Sequence, residues 1–238
     1  MNIAVMQPYF FPYLGYFQLA ASVEKFVFFD DVNFIKKGFI HRNQILVNKE
    51  PHRFTLPLKK VSQNDLIKDV YVSEIFPDWK TKFLRTIESN YSKSLNYKEI
   101  LMLLEEVLSK DSLSEMASQS IINVLKYLDI NTATSFSSSI DYARTGTGQD
   151  KILSICQLLG ATKYTNAIGG KELYDEFAFQ NADLQLNFIK MDQNAIGELF
   201  PNHPIHLSIL HYLFHFDKAS VLKGLMQSKL VSNRNYQE

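Results

Sequence analysis

The alternation of apolar and polar positions gives this chain its first landmarks. Ile3-Ala4-Val5 is apolar throughout, as in a strand buried on both faces of a sheet. The next eleven residues, Met6-Gln7-Pro8-Tyr9-Phe10-Phe11-Pro12-Tyr13-Leu14-Gly15-Tyr16, hold two prolines, one glycine and five aromatics. Pro8 and Pro12 fix φ, remove backbone donors and push their predecessors towards extended geometry. The chain therefore leaves the strand through a rigid, aromatic-walled turn, and the helix-like Phe17 to Ser22 follows. Lys25 to Val32 is a β-prone run, so the chain opens as β-α-β with a parallel pair of strands. Gln44 to Val47 and Arg53 to Leu58 read as the arms of a hairpin around Asn48-Lys49-Glu50-Pro51-His52, and Val70 to Val72 adds a short strand.

From Asp78 to Leu128 the period changes to that of helices. Trp79, Phe83 and Ile87 share a face, then Ile100, Leu103, Leu104, Val107 and Leu108, then Ile121, Ile122, Leu125 and Leu128, with Asp111 or Ser112 as a cap. Strands return at Thr132 to Ser137, Thr162 to Asn166 and Leu184 to Ile189, and a helix from Asp150 to Leu159 stops at Gly160. Helices over His206 to Phe214 and Lys218 to Met226 close the pattern, before a polar, frayed tail from Ser232 to Glu238. The expected fold class is α/β: a mostly parallel sheet with helices on both faces, a β-hairpin excursion and a helical insertion. One domain, 1–238, is expected, divided into an N-terminal part (1–76), the helical insertion (77–130) and a C-terminal α/β half (131–238). In such open sheets ligands bind just past the carboxyl ends of the strands, which is where the aromatic turn falls. The turn carries no Gly-rich phosphate fingerprint, which argues against a standard dinucleotide site.

Composition narrows the partners. With 25 basic and 25 acidic residues the net charge is zero, so nucleic acid is not expected as a partner. The average conceals a local excess: residues 36 to 60 carry Lys36, Lys37, Arg42, Lys49, Arg53, Lys59 and Lys60 against Glu50 alone, with His41 and His52 among them. Such a stretch suits phosphate or carboxylate groups, although Lys49, Lys59 and Lys60 also fit a solvated surface. No apolar run approaches the roughly 18 residues of a membrane span, and the N-terminus lacks the basic and apolar regions of a signal peptide. The one cysteine, Cys156, sits on an apolar helix face and reads as a small core residue. The cytoplasm is the expected compartment, and a homo-oligomer is compatible with these features.

Four groups of residues could carry chemistry. Asp30 and Asp31 follow a strand; on an extended chain they point to opposite sides, so one faces a site as base or orienting group, unless both merely cap the next loop. His41-Arg42-Asn43 combines an imidazole, a bidentate anion binder and an amide, with His41 and Asn43 on one face and Arg42 on the other. Gly169-Gly170-Lys171 lets backbone amides approach an anion with the lysine above it, or is a simple tight turn. His203, His206, His211 and His215 place two imidazoles at i, i+4, but no glutamate or third close ligand accompanies them, so no metal is expected. No nucleophile elbow stands out.

The chain resembles the WbqC-like proteins. The likeness is carried by Met6-Gln7-Pro8-Tyr9-Phe10 with Pro12-Tyr13-Leu14-Gly15-Tyr16, by Asp30-Asp31-Val32, and by His41-Arg42-Asn43-Gln44-Ile45. Leu159-Gly160-Ala161, Gly169-Gly170-Lys171 with Tyr174, and Leu207-Ser208-Ile209-Leu210 before Leu213-Phe214 extend it over nearly the whole chain. Where the family pattern carries an aromatic two residues before the Arg-Asn pair, this chain has Ile40. The resemblance implies a place in bacterial O-antigen and lipopolysaccharide biosynthesis. It also implies a transferase or ligase that forms an amide, glycyl or other acyl, on a nucleotide-linked amino sugar. On that reading Asp30, Asp31 and His41 are catalytic. Gln7, Pro8, Tyr9, Tyr13, Tyr16, Lys36, Lys37, Arg42, Asn43, Gly169, Gly170 and Lys171 bind substrate. The cofactor stays open between ATP and an acyl or aminoacyl donor. The alternative is a non-catalytic sugar-nucleotide-binding or scaffolding protein of the same pathway. The opening is also similar in architecture to adenylyl-transferring Rossmann-like enzymes, with Tyr13 and Tyr16 where those carry histidines.

Overall fold

The computed structural model describes residues 1–232. The tail expected to fray therefore lies, beyond Ser232, outside the described residues. Strand β1 (Asn2–Met6) leads through the aromatic turn into helix α1 (Leu14–Ala21) and back to β2 (Lys25–Phe28), parallel to β1 with Ile3 beside Lys25 and Met6 beside Phe28. Pleating separates the side chains of these strands into two cores. Ala4, Phe26 and Phe28 join the larger one, while Ile3, Val5, Val27 and Phe29 join the smaller one on the opposite face.

The hairpin forms as expected in kind but not in register. Its arms are β3 (Arg42–Val47) and β4 (Glu50–Thr55), joined by Asn48 and Lys49 alone, both left-handed at φ 52° and 69°. That two-residue turn matches the right-handed twist of the arms, and asparagine tolerates its φ. Pro51 consequently sits inside β4, paired with Leu46. Glu50 and Val47 close the hairpin, so the Leu46–Pro51 pair has its amide positions facing outwards and the missing proline N–H costs no ladder bond. Val70 to Val72 forms no strand; only the isolated pairs Leu58–Val72 and Tyr71–Ser112 occur there.

Helices α2 (Phe76–Tyr91), α3 (Tyr97–Val107) and α4 (Leu113–Tyr127) make the insertion, with Ser112 accepting the Glu115 amide as cap. Then come β5 (Ala133–Phe136), α5 (Gly148–Leu158), β6 (Lys163–Ala167), α6 (Glu176–Asn181) and β7 (Gln185–Met191). The described chain closes with α7 (Gln193–Leu199), α8 (Ile209–His215), α9 (Lys218–Leu225) and β8 (Ser228–Ser232). A capping box between Thr147 and Asp150 starts α5, and Gly160 at φ 64° ends it in the left-handed position that a β-carbon would oppose. Strand β8 was not expected: its polar Ser-Lys-Leu-Val-Ser sequence is stabilised by pairing antiparallel to β7, a partner 37–45 residues upstream by register that no local pattern announces.

The principal sheet runs β5-β2-β1-β6-β7-β8, all parallel except β8, with the hairpin as a separate two-stranded sheet. Chain order in that sheet is 3-2-1-4-5-6, the doubly wound order, whose two halves meet between β1 and β6. The large core joins α1, the insertion, the hairpin and α8–α9; the small core joins α5 and α6. Cys156 is buried in the small core, where burial pushes its thiol up to about 12, so it behaves as a hydrophobe. No helix among the described residues is long and apolar enough to cross a membrane.

Candidate functional site

Where β1 and β6 diverge, the carboxyl ends of β1, β2, β6 and β7 open into a cleft of about 1800 Å³. Gln7, Tyr9 and Tyr13 line it from the aromatic turn, and Asn33, Ile35 and Phe39 from the segment after β2. Thr147, Gly148 and Gln149 line it at the start of α5, and Asn166, Gly169, Gly170 and Tyr174 at the end of β6. Lys190, Asp192, His206 and Lys229 complete the far wall.

The aromatic turn holds its shape through bonds from distant elements. Phe11 is left-handed at φ 44°, a conformation costing a side-chain-bearing residue roughly 1–2 kcal/mol. Its amide donates to Ser120 Oγ at 2.9 Å, and its carbonyl accepts from Asn43 Nδ2 at 2.6 Å and Ser208 Oγ at 2.7 Å. Phe10 and Phe11 turn inwards and are fully buried, which leaves the alternate residues Tyr9 and Tyr13 facing the cleft. Tyr16 stands behind Tyr9, with ring centroids 5.4 Å apart, and donates to the Gln7 carbonyl at 2.8 Å. Burial raises the hydroxyl pKa of Tyr9, Tyr13 and Tyr16, so all three stay protonated donors. The Gln7 side chain makes no hydrogen bond with the described residues and is available to a ligand.

Gly15 makes this wall possible. A β-carbon there would lie 2.6 Å from Tyr13 Cε2 and 3.0 Å from Met191 Cε. In Gly15→Ala the ring must swing into the cleft, while the alanine favours the helix by about 1 kcal/mol. A crystal structure of the variant should show the displaced ring at an almost unchanged melting temperature; an unmoved ring would refute the contact.

The structure brings only part of the expected site together. Gln7, Tyr9, Tyr13, Gly169 and Gly170 line the cleft. The glycines belong to a 3-10 turn, Ile168–Leu173, without left-handed φ, so no amide nest forms there. Pro8 and Tyr16 are buried behind the wall, and Lys171 is not among the lining residues. Lys36 and Lys37 are exposed along a neighbouring shallow groove with Gln63 and Asn64. Arg42 donates through Nε to the Gly38 carbonyl at 2.9 Å and through Nη2 to the Lys37 carbonyl, bracing the segment that carries Phe39. Asn43 is committed to the aromatic turn. His41 packs on Phe34, its Nδ1 buried without a hydrogen-bond partner among the described residues, and burial followed by the Arg42 charge lowers its pKa to about 4.

Asp30 and Asp31 do not point to opposite sides. The Asp30 amide donates to the Phe28 carbonyl at 3.0 Å, a tight turn that ends β2 and swings both carboxylates the same way. Both are buried, at 3% and 7% exposure, and both accept from Ser137 Oγ. Asp30 also accepts from the Ser138 amide and hydroxyl and from Ser114, while Asp31 accepts from Tyr142 at 2.8 Å and pairs with Arg144 at 3.0 Å. This network ties β2 to α4 and to the loop after β5, and neither carboxylate lines the cleft.

Residues that the sequence did not single out fill the rest. Lys190 and Lys229 come from β7 and β8, and Lys229 pairs with Asp192 at 3.1 Å. Backbone amides, first that of Ala195, and then Lys229 hold the Asp192 carboxyl below its usual range. Position just past a parallel strand could have signalled Asp192, which follows β7, whereas Lys229 sits on the antiparallel β8 that no local pattern announces. Of the four histidines only His206 reaches the cleft. His203 Nδ1 lies 2.7 Å from His211 Nε2, whose Nδ1 lies 3.1 Å from the Tyr91 hydroxyl, a hydrogen-bonded chain on the helix flank. Among the described residues no group of three or more His, Cys, Asp or Glu is placed to hold a metal ion.

These features define a doubly wound α/β protein with its cleft at the topological switch point. The chain belongs to the WbqC-like protein family, whose model matches residues 7–222. It is similar to the uncharacterized protein Rv1507c of Mycobacterium tuberculosis (strain ATCC 25618 / H37Rv). The two are 24% identical over 219 residues, or 90% of this chain and 93% of that protein. No solved structure gives a significant match.

Proposed function

We propose that the cleft binds a nucleotide-linked amino sugar and that the protein forms an amide on its amine, within bacterial surface polysaccharide biosynthesis in the cytoplasm. The observation that carries this reading is the cleft, whose volume of about 1800 Å³ exceeds the roughly 300–1,000 Å³ of a pocket for one small molecule. Such a space admits a sugar nucleotide together with a second substrate. Its aromatic wall supports the same reading, since Tyr9, Tyr13 and Phe39 offer flat apolar faces for a base or sugar ring, and the two tyrosines add hydroxyl tips. The side-chain amides of Gln7 and Asn33 supply hydrogen-bond donors and acceptors, and Lys190, with Lys229 beside its partner Asp192, supplies positive charge for phosphates. Asp30 and Asp31 act from behind, holding the strand end that presents Phe29 and Val32 to the ligand.

Incubation with dTDP- and UDP-linked amino sugars, with ATP and glycine or with acyl-CoA, tests the proposal by mass spectrometry. A product carrying the added acyl mass is expected. Tight binding of the sugar nucleotide with no product from any donor would instead identify a binding or scaffolding protein.

A further inference from the structure

We propose that Tyr174 is the cleft's fixed hydrogen-bond donor, the group that meets the acyl oxygen as it gains charge during amide formation. Its role towards an acyl group rests on the function proposed above; its donor direction rests on hydrogen-bond counting alone.

Asn166 is buried at the end of β6. The Ala167 amide donates to Asn166 Oδ1 at 2.7 Å, which fixes the orientation of the side-chain amide, because a backbone N–H donates only to the oxygen. Asn166 Nδ2 therefore faces the two phenols and donates to Tyr174 at 2.5 Å and to Tyr164 at 3.1 Å. Both amide hydrogens are then used, and neither tyrosine can donate to Asn166. Fully buried Tyr164 has two acceptors for its own hydrogen: the Tyr174 oxygen at 3.1 Å and the Val5 carbonyl at 3.4 Å, the latter at the far edge of hydrogen-bond range. With the shorter bond made, the Tyr174 oxygen accepts twice. Its hydrogen then has no acceptor among the described residues, and Tyr174 lines the cleft.

A phenol that accepts two hydrogen bonds is polarised towards donating its own. Burial raises the Tyr174 pKa, so the hydrogen is present throughout the physiological range. The ring is fixed edge-on to Phe179, with centroids 5.7 Å apart, and the donor needs no reorganisation when charge develops. In the step it serves, the sugar amine attacks the carbonyl carbon of an activated acyl donor, a thioester or acyl phosphate, and the C–N bond forms. The carbonyl π electrons move to the oxygen that Tyr174 bonds, then return as the thiolate or phosphate leaves, and the amine proton passes to water at the open mouth.

Two measurements test this. Neutron diffraction of the ligand-free, deuterium-exchanged protein should place the Tyr174 deuteron towards the cleft. A deuteron directed at Tyr164, with that of Tyr164 on Val5, would overturn the donor assignment. In kinetics, Tyr174→Phe should lower kcat by about 10²–10³ at unchanged KM, the loss typical of one such donor. Asn166→Asp should do the same, because its carboxylate accepts from both phenols while still accepting the Ala167 amide. Full kcat in Tyr174→Phe would overturn the catalytic role. A wild type that forms no product would remove the acyl assignment with the parent reading, and the neutron map would then decide the donor by itself.

Discussion

Replacing Asp31 by alanine is expected to lower the melting temperature by roughly 5–15 °C. The carboxylate is the acceptor for Ser137 and Tyr142 and the partner of Arg144. Removing it leaves the buried Tyr142 hydroxyl unmatched, at about 1–3 kcal/mol, while Ser137 keeps Asp30 as acceptor. The lost charge-assisted bond from Arg144 adds about 1.5–3 kcal/mol, and each kcal/mol moves the midpoint of a domain this size by about 2–4 °C. Arg144 is half exposed and recovers water, which keeps the loss below that of a fully buried pair. Differential scanning calorimetry of Asp31→Ala and Asp31→Asn separates support from catalysis. Asparagine still accepts from Tyr142, so a supporting residue predicts an intermediate melting temperature with turnover following the folded fraction. A catalytic base predicts lost turnover at a near-native midpoint, and that result would return Asp31 to the chemistry.

The second large effect is a loss of stability in mild acid. Burial, reinforced by the neighbouring His215 and His203 charges, lowers the His211 pKa to about 3, against about 6.5 in an unfolded chain. Above pH 6.5 both states are neutral at this site and the folded state keeps its full advantage. As the pH falls from 6.5 towards 3, the unfolded chain takes up a proton that the folded one refuses, so stability falls across that window. At pH 5 the difference is on the order of 2 kcal/mol for His211, since each pH unit contributes about 1.4 kcal/mol. Half-buried His41, lowered to about 4, adds a smaller loss of the same sign. Melting temperatures between pH 7.5 and 5.5 should fall in the wild type and less steeply in His211→Gln. Exposed His206→Gln should keep the wild-type slope, and identical slopes in all three would remove His211 as the cause.

Much of the fold was legible because it rests on local patterns. Ile3-Ala4-Val5 and Phe26-Val27-Phe28 are strands buried on both faces, and the helical stripes of Phe83 with Ile87 and of Leu103 with Leu104 pack where periodicity puts them. What escaped depends on partners far away in sequence. Strand β8 exists through β7, and the left-handed Asn48-Lys49 turn overrode the proline-based expectation because twist, not composition, set the register. The site was legible by half for the same reason. Tyr9 and Tyr13 announce themselves in a turn that two prolines stiffen. Polar residue type could not reveal whether a side chain serves a ligand or a neighbouring backbone. Arg42 and Asn43 have the chemistry of anion binders and are consumed by the carbonyls of Gly38 and Phe11. Tyr174 and Asn166, by contrast, become informative only once their mutual geometry is known.

The clamp on Phe11 also sets the order in which the cleft is completed. Its three polar partners belong to the insertion, the hairpin and the cap of α8, and Ser208 lies 197 residues further along the chain. A nascent chain can pair β1 with β2 early, since only a short helix separates them. The aromatic wall, however, waits for contacts of high sequence separation, whose loop closure is slow. Ligand binding is therefore a late milestone of biogenesis: fragments ending before α8 can retain a core yet lack the wall that recognises a substrate.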